Sequence, residues 1–90
     1  MENSGTNWEL RIDGRVYKDL SKVPRNYADK IIGVIESLKY DPYVGDIQKI
    51  KGEERVWRRR VGKYRIFYEI YPDRKFISIF HVEIRGSKTY

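Results

Sequence analysis

The sequence predicts an α+β domain in which a helical hairpin packs on a mostly antiparallel, four-stranded sheet, with the element order β-α-α-β-β-β. Two observations support this fold class. Apolar residues recur at helical spacing over residues 28–38, and residues 56–83 are rich in Val, Ile, Tyr and Phe with turn signals between the runs. A chain of 90 residues is long enough for one small domain.

The N-terminal part predicts a strand followed by a short helix. Residues 1–7 are small and polar, so we expect a disordered N-terminus and a single domain over residues 8–90. Apolar and charged residues alternate over residues 8–12, which predicts a half-buried strand. Asp13 can cap the helix that follows. Its apolar stripe consists of Val16, Tyr17 and Leu20.

A second helix is predicted after a tight connection. Ser21 can cap it, and Pro24 is tolerated in its first turn because the backbone N–H there has no partner within the helix. Pro42 stops the helix. Its apolar stripe consists of Ala28, Ile31, Ile32, Ile35 and Leu38. The two helices form a hairpin whose apolar faces need a flat surface to cover.

The second half of the chain predicts that surface as three strands, at residues 56–61, 64–71 and 75–83. Gly62-Lys63 and Pro72-Asp73 separate the strands and are typical of hairpin turns. The last run is apolar on both faces, which predicts a central strand.

Composition excludes several kinds of site. The chain has no Cys, which excludes disulfides, thiolate nucleophiles and Cys-ligated zinc, and its single His argues against a His-based metal site. We therefore expect neither a metal nor another cofactor. No apolar run approaches the roughly 18–20 residues of a membrane span, and no signal peptide is recognisable. These features predict a cytoplasmic protein without a membrane partner.

The positive charge is concentrated in one segment. The net charge is +6, and residues 49–65 hold eight cations and two anions, so the remainder of the chain is neutral overall. A local positive potential attracts nucleic acid, an anionic membrane or an acidic protein. Arginines interleaved with Trp and Tyr in this segment favour phosphate recognition.

Strand alternation predicts that three of these arginines share a face. Arg58 and Arg60 lie on one side of their strand, and Arg65 and Phe67 lie on the side of the next strand opposite its apolar set. If the apolar set faces the helices, three guanidinium groups converge on the open face and can reach one phosphate. Phe67 can stack on a base there. Arg59 has the inward parity, so we expect it to reach past the sheet edge.

Four stretches carry a resemblance to a known family: KIKG at 49–52, VWRRRVGKYRIFYEI at 56–70, the apolar last strand, and RGSKTY at 85–90. In these stretches and in its element order, the chain resembles the RelE/ParE toxin superfamily, in particular short archaeal members of the RelE branch. The resemblance implies a toxin of a type II toxin–antitoxin system, with a cognate antitoxin as partner. It also implies an endoribonuclease that cuts mRNA in the ribosomal A site.

The resemblance assigns roles to individual residues. RelE toxins direct a ribose 2′-OH at the adjacent phosphate. The basic pair of the family falls on Arg58 and Arg60, its sheet arginine on Arg65, its post-strand arginine on Arg85 and its C-terminal tyrosine on Tyr90. Arginine stays protonated and is suited to stabilising the phosphorane, and Tyr90 is expected to position a base by stacking.

Further RNA contacts are expected from a basic loop and the adjoining turn. Lys49 and Lys51 match a loop that contacts RNA in the family, and Lys63 and Phe67 complete the predicted contacts. His81 lies in the last strand, and both a structural role and a role as acid or base are open.

Two other functions are open. ParE toxins share the scaffold and inhibit DNA gyrase, although they generally lack the full basic and tyrosine set. A degenerate relative that binds nucleic acid without cleaving it is the second alternative. Loss of growth inhibition on expression would favour that binder, and inhibition of DNA supercoiling would favour the gyrase inhibitor.

Overall fold

The computed structural model describes residues 7–84, which form five strands, two helices and one short 3-10 turn. In chain order these elements are β1 (Glu9–Ile12), α1 (Gly14–Leu20), α2 (Arg25–Ser37), β2 (Ile47–Lys49), β3 (Val56–Val61), β4 (Tyr64–Tyr71), the turn Pro72–Arg74 and β5 (Phe76–Ile84). The α+β class is as predicted. The expectation of a disordered segment at residues 1–7 falls outside the described residues except at Asn7.

The sheet has five strands in the order β1-β5-β4-β3-β2, so the prediction of four strands is wrong by one. The missed strand, β2, is only three residues long and pairs antiparallel with β3 through Ile47–Arg59, Gln48–Arg58 and Lys49–Trp57. Its pairing depends on backbone hydrogen bonds at a sheet edge, and it has no hydrophobic alternation to reveal it. β1 runs parallel to β5, and the other pairs are antiparallel.

The interior position of β5 agrees with its apolar sequence, because it pairs with β1 on one side and β4 on the other. The β3–β4 hairpin closes through the predicted two-residue turn, since Val61 pairs with Tyr64. Gly62 in that turn has a φ of +57°, a region that L side chains rarely adopt. The second hairpin turn is longer than predicted and ends at Lys75, also at positive φ, so β5 begins at Phe76.

Helix capping was predicted correctly for α1 and wrongly for α2. The Asp13 carboxylate accepts a hydrogen bond from the Arg15 N–H at 2.9 Å, as predicted. Ser21 instead belongs to the end of α1, where its N–H donates to the Tyr17 carbonyl and its hydroxyl donates to the Lys18 carbonyl. The N-cap of α2 is Pro24, which has no side-chain oxygen to offer. Ser21 therefore caps the end of α1 and does not cap α2.

The core lies between the helices and one face of the sheet. The stripe residues Ile31, Ile35 and Leu38 are buried, whereas Ile32 is 37% exposed. Ile31, Ile35 and Leu38 belong to one cluster with the apolar residues of β4 and β5, which include Ile66, Tyr68, Ile70, Ile77 and Ile79. Tyr68 is fully buried, and its hydroxyl donates to the Pro42 carbonyl at 3.2 Å. Burial raises the pKa of Tyr68 well above its usual range.

The opposite face of the sheet, hereafter the open face, carries the residues of β3, β4 and β5 that alternate with the core residues. This open face positions the residues described next. The longest helix of the described chain, α2, has 13 residues, and none of these helices is long and apolar enough to cross a membrane.

Candidate nucleic-acid interface

Three arginines lie on the open face of β3 and β4. The antiparallel register places Arg60 directly opposite Arg65 and Arg58 opposite Phe67. The residues between them, such as Ile66, point into the core. Directly opposed residues in such a pair have Cβ atoms about 4.5–5.5 Å apart. Arg58, Arg60 and Arg65, hereafter the arginine face, therefore share one surface, as strand alternation predicted.

Each arginine of this face has a polar neighbour. Asp46, just before β2, lies 3.3 Å from Arg60 Nε. Glu83 on β5 pairs across the strands with Arg65, and its Oε2 lies 3.7 Å from Arg65 Nη1. Arg58 donates a hydrogen bond to the Gln48 side chain. Like charges placed opposite each other repel, and these polar neighbours offset part of that repulsion.

The guanidinium groups retain hydrogen-bonding capacity. The side chains of Arg60 and Arg65 are about one-third and one-quarter exposed. Among the described residues, the Nε atoms of both have no hydrogen-bond partner although they are shielded from solvent. The other N–H groups of these partly exposed side chains can donate to a phosphate oxygen, because an arginine presents five N–H donors.

Arg59, on the opposite parity of β3, reaches the loop before β2. Its Nη1 donates to the Val44 carbonyl at 3.0 Å. The guanidinium lies against Gly45, where an added Cβ would clash with Arg59 Cζ. This contact explains how a charged side chain is accommodated at the inward-facing position 59. It requires a glycine at position 45, because a side chain there would displace the guanidinium.

Phe67 does not offer a ring to a base. It is only 1% exposed, because its ring stacks on His81 with centroids 5.7 Å apart and also contacts Phe80. The structure therefore contradicts the predicted stacking role. Sequence alternation gave the correct face for Phe67 but could not show that neighbouring side chains cover it.

The predicted lysine contacts are spread around this surface. Lys49 lies in β2, rather than in a loop, and its Nζ donates to the Glu53 carbonyl at 2.9 Å. Lys51 is exposed in the turn after β2. Lys63 is exposed in the β3–β4 turn, with its Nζ 5.6 Å from the centre of the Tyr27 ring. Arg85 and Tyr90, which the sequence also assigned to the site, lie outside the described residues.

A cluster that the sequence did not reveal adjoins the arginine face on β5. His81 is buried, with Nδ1 2.9 Å from Asp19 Oδ2 and Nε2 3.1 Å from Glu83 Oε1. The spacing of His81 and Glu83 on one strand gives them a common face, which is a signal in the sequence. Asp19 comes from α1, 62 positions away from His81, and had no such signal.

A second cationic feature lies at the opposite end of β4. The guanidinium carbons of Arg55 and Arg74 lie 5.2 and 5.6 Å from the centre of the Tyr71 ring. The Tyr71 hydroxyl donates a hydrogen bond to the Glu69 carboxylate, and this bond raises the pKa of Tyr71. Cation–π contacts of this type hold the two arginines near the sheet.

Within residues 7–84, no group of three or more His, Cys, Asp or Glu side chains has a geometry that could hold a metal ion.

Comparison with known proteins identifies the family. Residues 10–88 match the family model described as the ParE toxin of type II toxin–antitoxin systems, parDE. The chain belongs to this toxin family. It is also 36% identical over 75 residues to a protein described as "Putative toxin RelE1" of Methanocaldococcus jannaschii, covering 80% of this chain and 83% of that protein.

Solved toxin structures have the same fold. The chain is similar to one in the archaeal RelE–RelB complex from Pyrococcus horikoshii OT3, with a TM-score of 0.76, 26% identity, and coverage of 89% of this chain and 97% of that one. A chain of the RelB–RelE antitoxin–toxin complex from Methanococcus jannaschii gives a TM-score of 0.74 and 29% identity, with coverage of 89% and 98%. The protein is thus a RelE-like toxin of the type II toxin–antitoxin class.

Proposed function

We propose that this RelE-like toxin is a ribosome-dependent endoribonuclease that cuts mRNA in the A site. The observation that carries the proposal is the arginine face, where Arg60 and Arg65 lie opposite each other on adjacent strands and both side chains are partly exposed. A surface of this kind suits a phosphate that gains negative charge during reaction.

The proposed reaction is attack of the ribose 2′ oxygen on the adjacent phosphorus. The 2′-OH loses its proton, the bond from phosphorus to the 5′ oxygen breaks, and that oxygen takes up a proton. The products are a 2′,3′-cyclic phosphate and a 5′-OH. Arg58, Arg60 and Arg65 would stabilise the phosphorane, with Arg85 on the side of the leaving oxygen and Tyr90 stacking on a base.

The cationic residues explain a need for the ribosome. Arginine is protonated at any relevant pH, so it is a poor acceptor for the 2′-OH proton. Alignment of the attacking oxygen, phosphorus and leaving oxygen by the ribosome would supply part of the missing acceleration. Lys49, Lys51 and Lys63 are proposed to contact RNA around the reacting phosphate. This activity would take place in the cytoplasm, where translation occurs.

The experiment that tests the proposal is primer extension on mRNA held in ribosomes, followed by analysis of the ends produced. We expect a cut near the A-site codon, a 5′-OH on the downstream fragment and a cyclic phosphate on the upstream fragment. The same mRNA without ribosomes should stay intact. A ribosome sample that remains uncut by the wild type, while a known RelE toxin cuts it, would contradict the proposal.

An antitoxin is the proposed protein partner. The solved structures with which the chain shares its fold include RelE–RelB complexes, and the polarised charge of this chain suits a partner with an acidic or amphipathic segment. Such a segment would cover or distort the arginine face. We expect the complex to be weakened by Arg60→Ala together with Arg65→Ala, and equal antitoxin affinity of the wild type and this variant would contradict masking.

Inhibition of DNA gyrase is the second candidate, because the matching family model carries the name ParE. A supercoiling assay separates the two functions. Inhibition of gyrase together with intact ribosome-bound mRNA would favour this candidate over cleavage.

A further inference from the structure

Two buried titratable groups near the arginine face have no place in the proposed reaction. His81 and Glu83 are two residues apart on β5 and are 6% and 8% exposed. His81 Nε2 lies 3.1 Å from Glu83 Oε1, and His81 Nδ1 lies 2.9 Å from Asp19 Oδ2. Both ring nitrogens therefore face carboxylate oxygens. Only an imidazole that carries two protons can donate to both.

The far end of this chain of contacts is fixed to the backbone. Asp19 Oδ2 also accepts a hydrogen bond from the Val82 N–H at 3.0 Å. The parallel pairing of β1 with β5 ends at the Ile12–Ile79 pair, so Asp19 binds β5 beyond that point. The carboxylate consequently has a defined position, set by α1 on one side and by the β5 backbone on the other.

The near end of the chain reaches the arginine face. Glu83 Oε2 is shielded from solvent and lacks a hydrogen-bond partner among residues 7–84, and it lies 3.7 Å from Arg65 Nη1. Glu83 and Arg65 are also directly opposed in the β4–β5 register. One carboxylate therefore lies between the buried imidazole and an arginine proposed to bind the reacting phosphate.

The orientation of the imidazole is restricted from a third direction. The Phe67 ring stacks on His81 at an interplanar angle of 30°. The buried Phe67 ring thus packs against one face of the imidazole and limits its rotation. With its plane and both nitrogens held, His81 can hold the Glu83 carboxylate in one orientation.

We propose that Asp19, His81 and Glu83, hereafter the relay, are positioning residues that orient Arg65. The effect of the relay on catalysis rests on the proposed function. The coupling of His81 to Arg65 through Glu83 does not. A purely structural role, in which the relay only ties α1 to β5, is the competing explanation. That role predicts changes in stability but no change at Arg65 in the folded protein.

The protonation state of His81 provides a readout specific to coupling. The charged groups around the ring are Asp19 and Lys22 from the α1 side, Glu83 on β5 and Arg65 on β4. Asp19, Lys22, His81 and Glu83 line one cavity of about 400 Å³. Loss of a proton from the imidazole removes the donor from one of the two carboxylates. If the relay holds Arg65, its guanidinium must respond to that change through Glu83.

The test is nuclear magnetic resonance of the ¹⁵N-labelled full chain, following the Arg65 Nε–H signal and the His81 ring nitrogens across pH. The Arg65 signal is identified by its loss in Arg65→Lys. We expect it to shift with the same midpoint as His81 in the wild type. Glu83→Gln should displace the Arg65 signal and abolish its response to His81, and Asp19→Asn should displace it without any direct contact.

Glu69→Gln is the matched control, because Glu69 is on the same strand as Arg65 but its carboxylate accepts a hydrogen bond from the Tyr71 hydroxyl. It should leave the Arg65 signal unchanged. An Arg65 signal that is unmoved in Glu83→Gln, or that titrates independently of His81 in the wild type, would overturn the relay. The wild-type titration keeps the test valid if Asp19→Asn fails to fold.

Cleavage kinetics test the consequence for catalysis. For Glu83→Gln we expect kcat on ribosome-bound mRNA to fall about 10- to 100-fold, since a misplaced group loses its contribution to the reaction. KM should stay within about threefold of the wild type. A raised KM at unchanged kcat would overturn the positioning role. A wild type that cuts no mRNA would instead refute the proposed function and leave the resonance result intact.

Discussion

The two faces of β4 differ in chemistry although they belong to one eight-residue strand. The even-numbered residues from Tyr64 to Ile70 are at most 5% exposed and pack under the helices. On the other face, Arg65 remains partly exposed beside Arg60 of β3 and Glu83 of β5. Strand alternation therefore builds a core and a candidate site from the same segment. Substitutions on the two faces should consequently affect different properties, stability on one and RNA cleavage on the other.

The faces also differ in how polar groups are treated. In the core, the Tyr68 hydroxyl donates a hydrogen bond to the Pro42 carbonyl. On the open face, Arg60 and Arg65 have carboxylates at 3.3 and 3.7 Å but keep Nε donors without hydrogen bonds among the described residues. A folded core leaves few polar groups unsatisfied, whereas the partly exposed guanidinium groups of the open face can still donate to a ligand.

The largest effect on stability is expected from Ile66→Ala on the core face. Ile66 is fully buried, so the change should lower the free energy of unfolding by about 2–5 kcal/mol through lost packing and a cavity. Urea unfolding measures it. Ile84→Ala is the control, because Ile84 is 48% exposed, and should change stability by no more than about 0.5 kcal/mol. Equal losses in the two variants would contradict the assignment of the faces.

On the open face, Arg60→Ala should reduce cleavage of ribosome-bound mRNA about 100-fold, equivalent to about 2.7 kcal/mol of transition-state stabilisation. The free energy of unfolding should change by less than about 1 kcal/mol, because the pair with Asp46 is partly solvated. Single-turnover cleavage and urea unfolding give the two values. Arg15→Ala, an exposed change on α1, should retain full activity. Comparable activity in the Arg60 and Arg15 variants would remove Arg60 from the site.

A smaller effect is expected from Tyr68→Phe, which keeps the ring but removes the hydrogen bond to Pro42. The free energy of unfolding at neutral pH should fall by about 1 kcal/mol. Cleavage should be unchanged once the samples are compared at a temperature where both are folded. A variant as stable as the wild type would show that this buried hydroxyl contributes nothing to the fold.

The same tyrosine predicts a pH dependence confined to alkaline solution. Burial raises the pKa of Tyr68 in the folded chain above its ordinary value of 10.0. The unfolded chain then releases this proton first, so the stabilisation is fully present below about pH 10 and falls as pH rises further. Urea unfolding between pH 9 and pH 11 should show a smaller decline for Tyr68→Phe than for the wild type. Parallel declines would contradict the shift.

The core and the shared parity of the arginines were predictable because both follow from alternation along strands of ordinary length. β2 was not, since three residues at a sheet edge carry no such pattern. The burial of Phe67 depends on His81 and Phe80, which approach it from β5. Asp19 reaches β5 because α1 lies against that strand in the folded chain. Contacts between elements distant in sequence therefore account for what alternation could not reveal.

We propose that the open face cuts RNA, whereas the opposite face serves only to form the core. Primer extension on ribosome-bound mRNA, with wild type, Arg65→Ala and Arg15→Ala at equal folded concentration, tests it most directly. We predict a cut near the A-site codon with wild type and Arg15→Ala, and a loss of about 100-fold with Arg65→Ala. A cut of equal intensity with Arg65→Ala would contradict the claim.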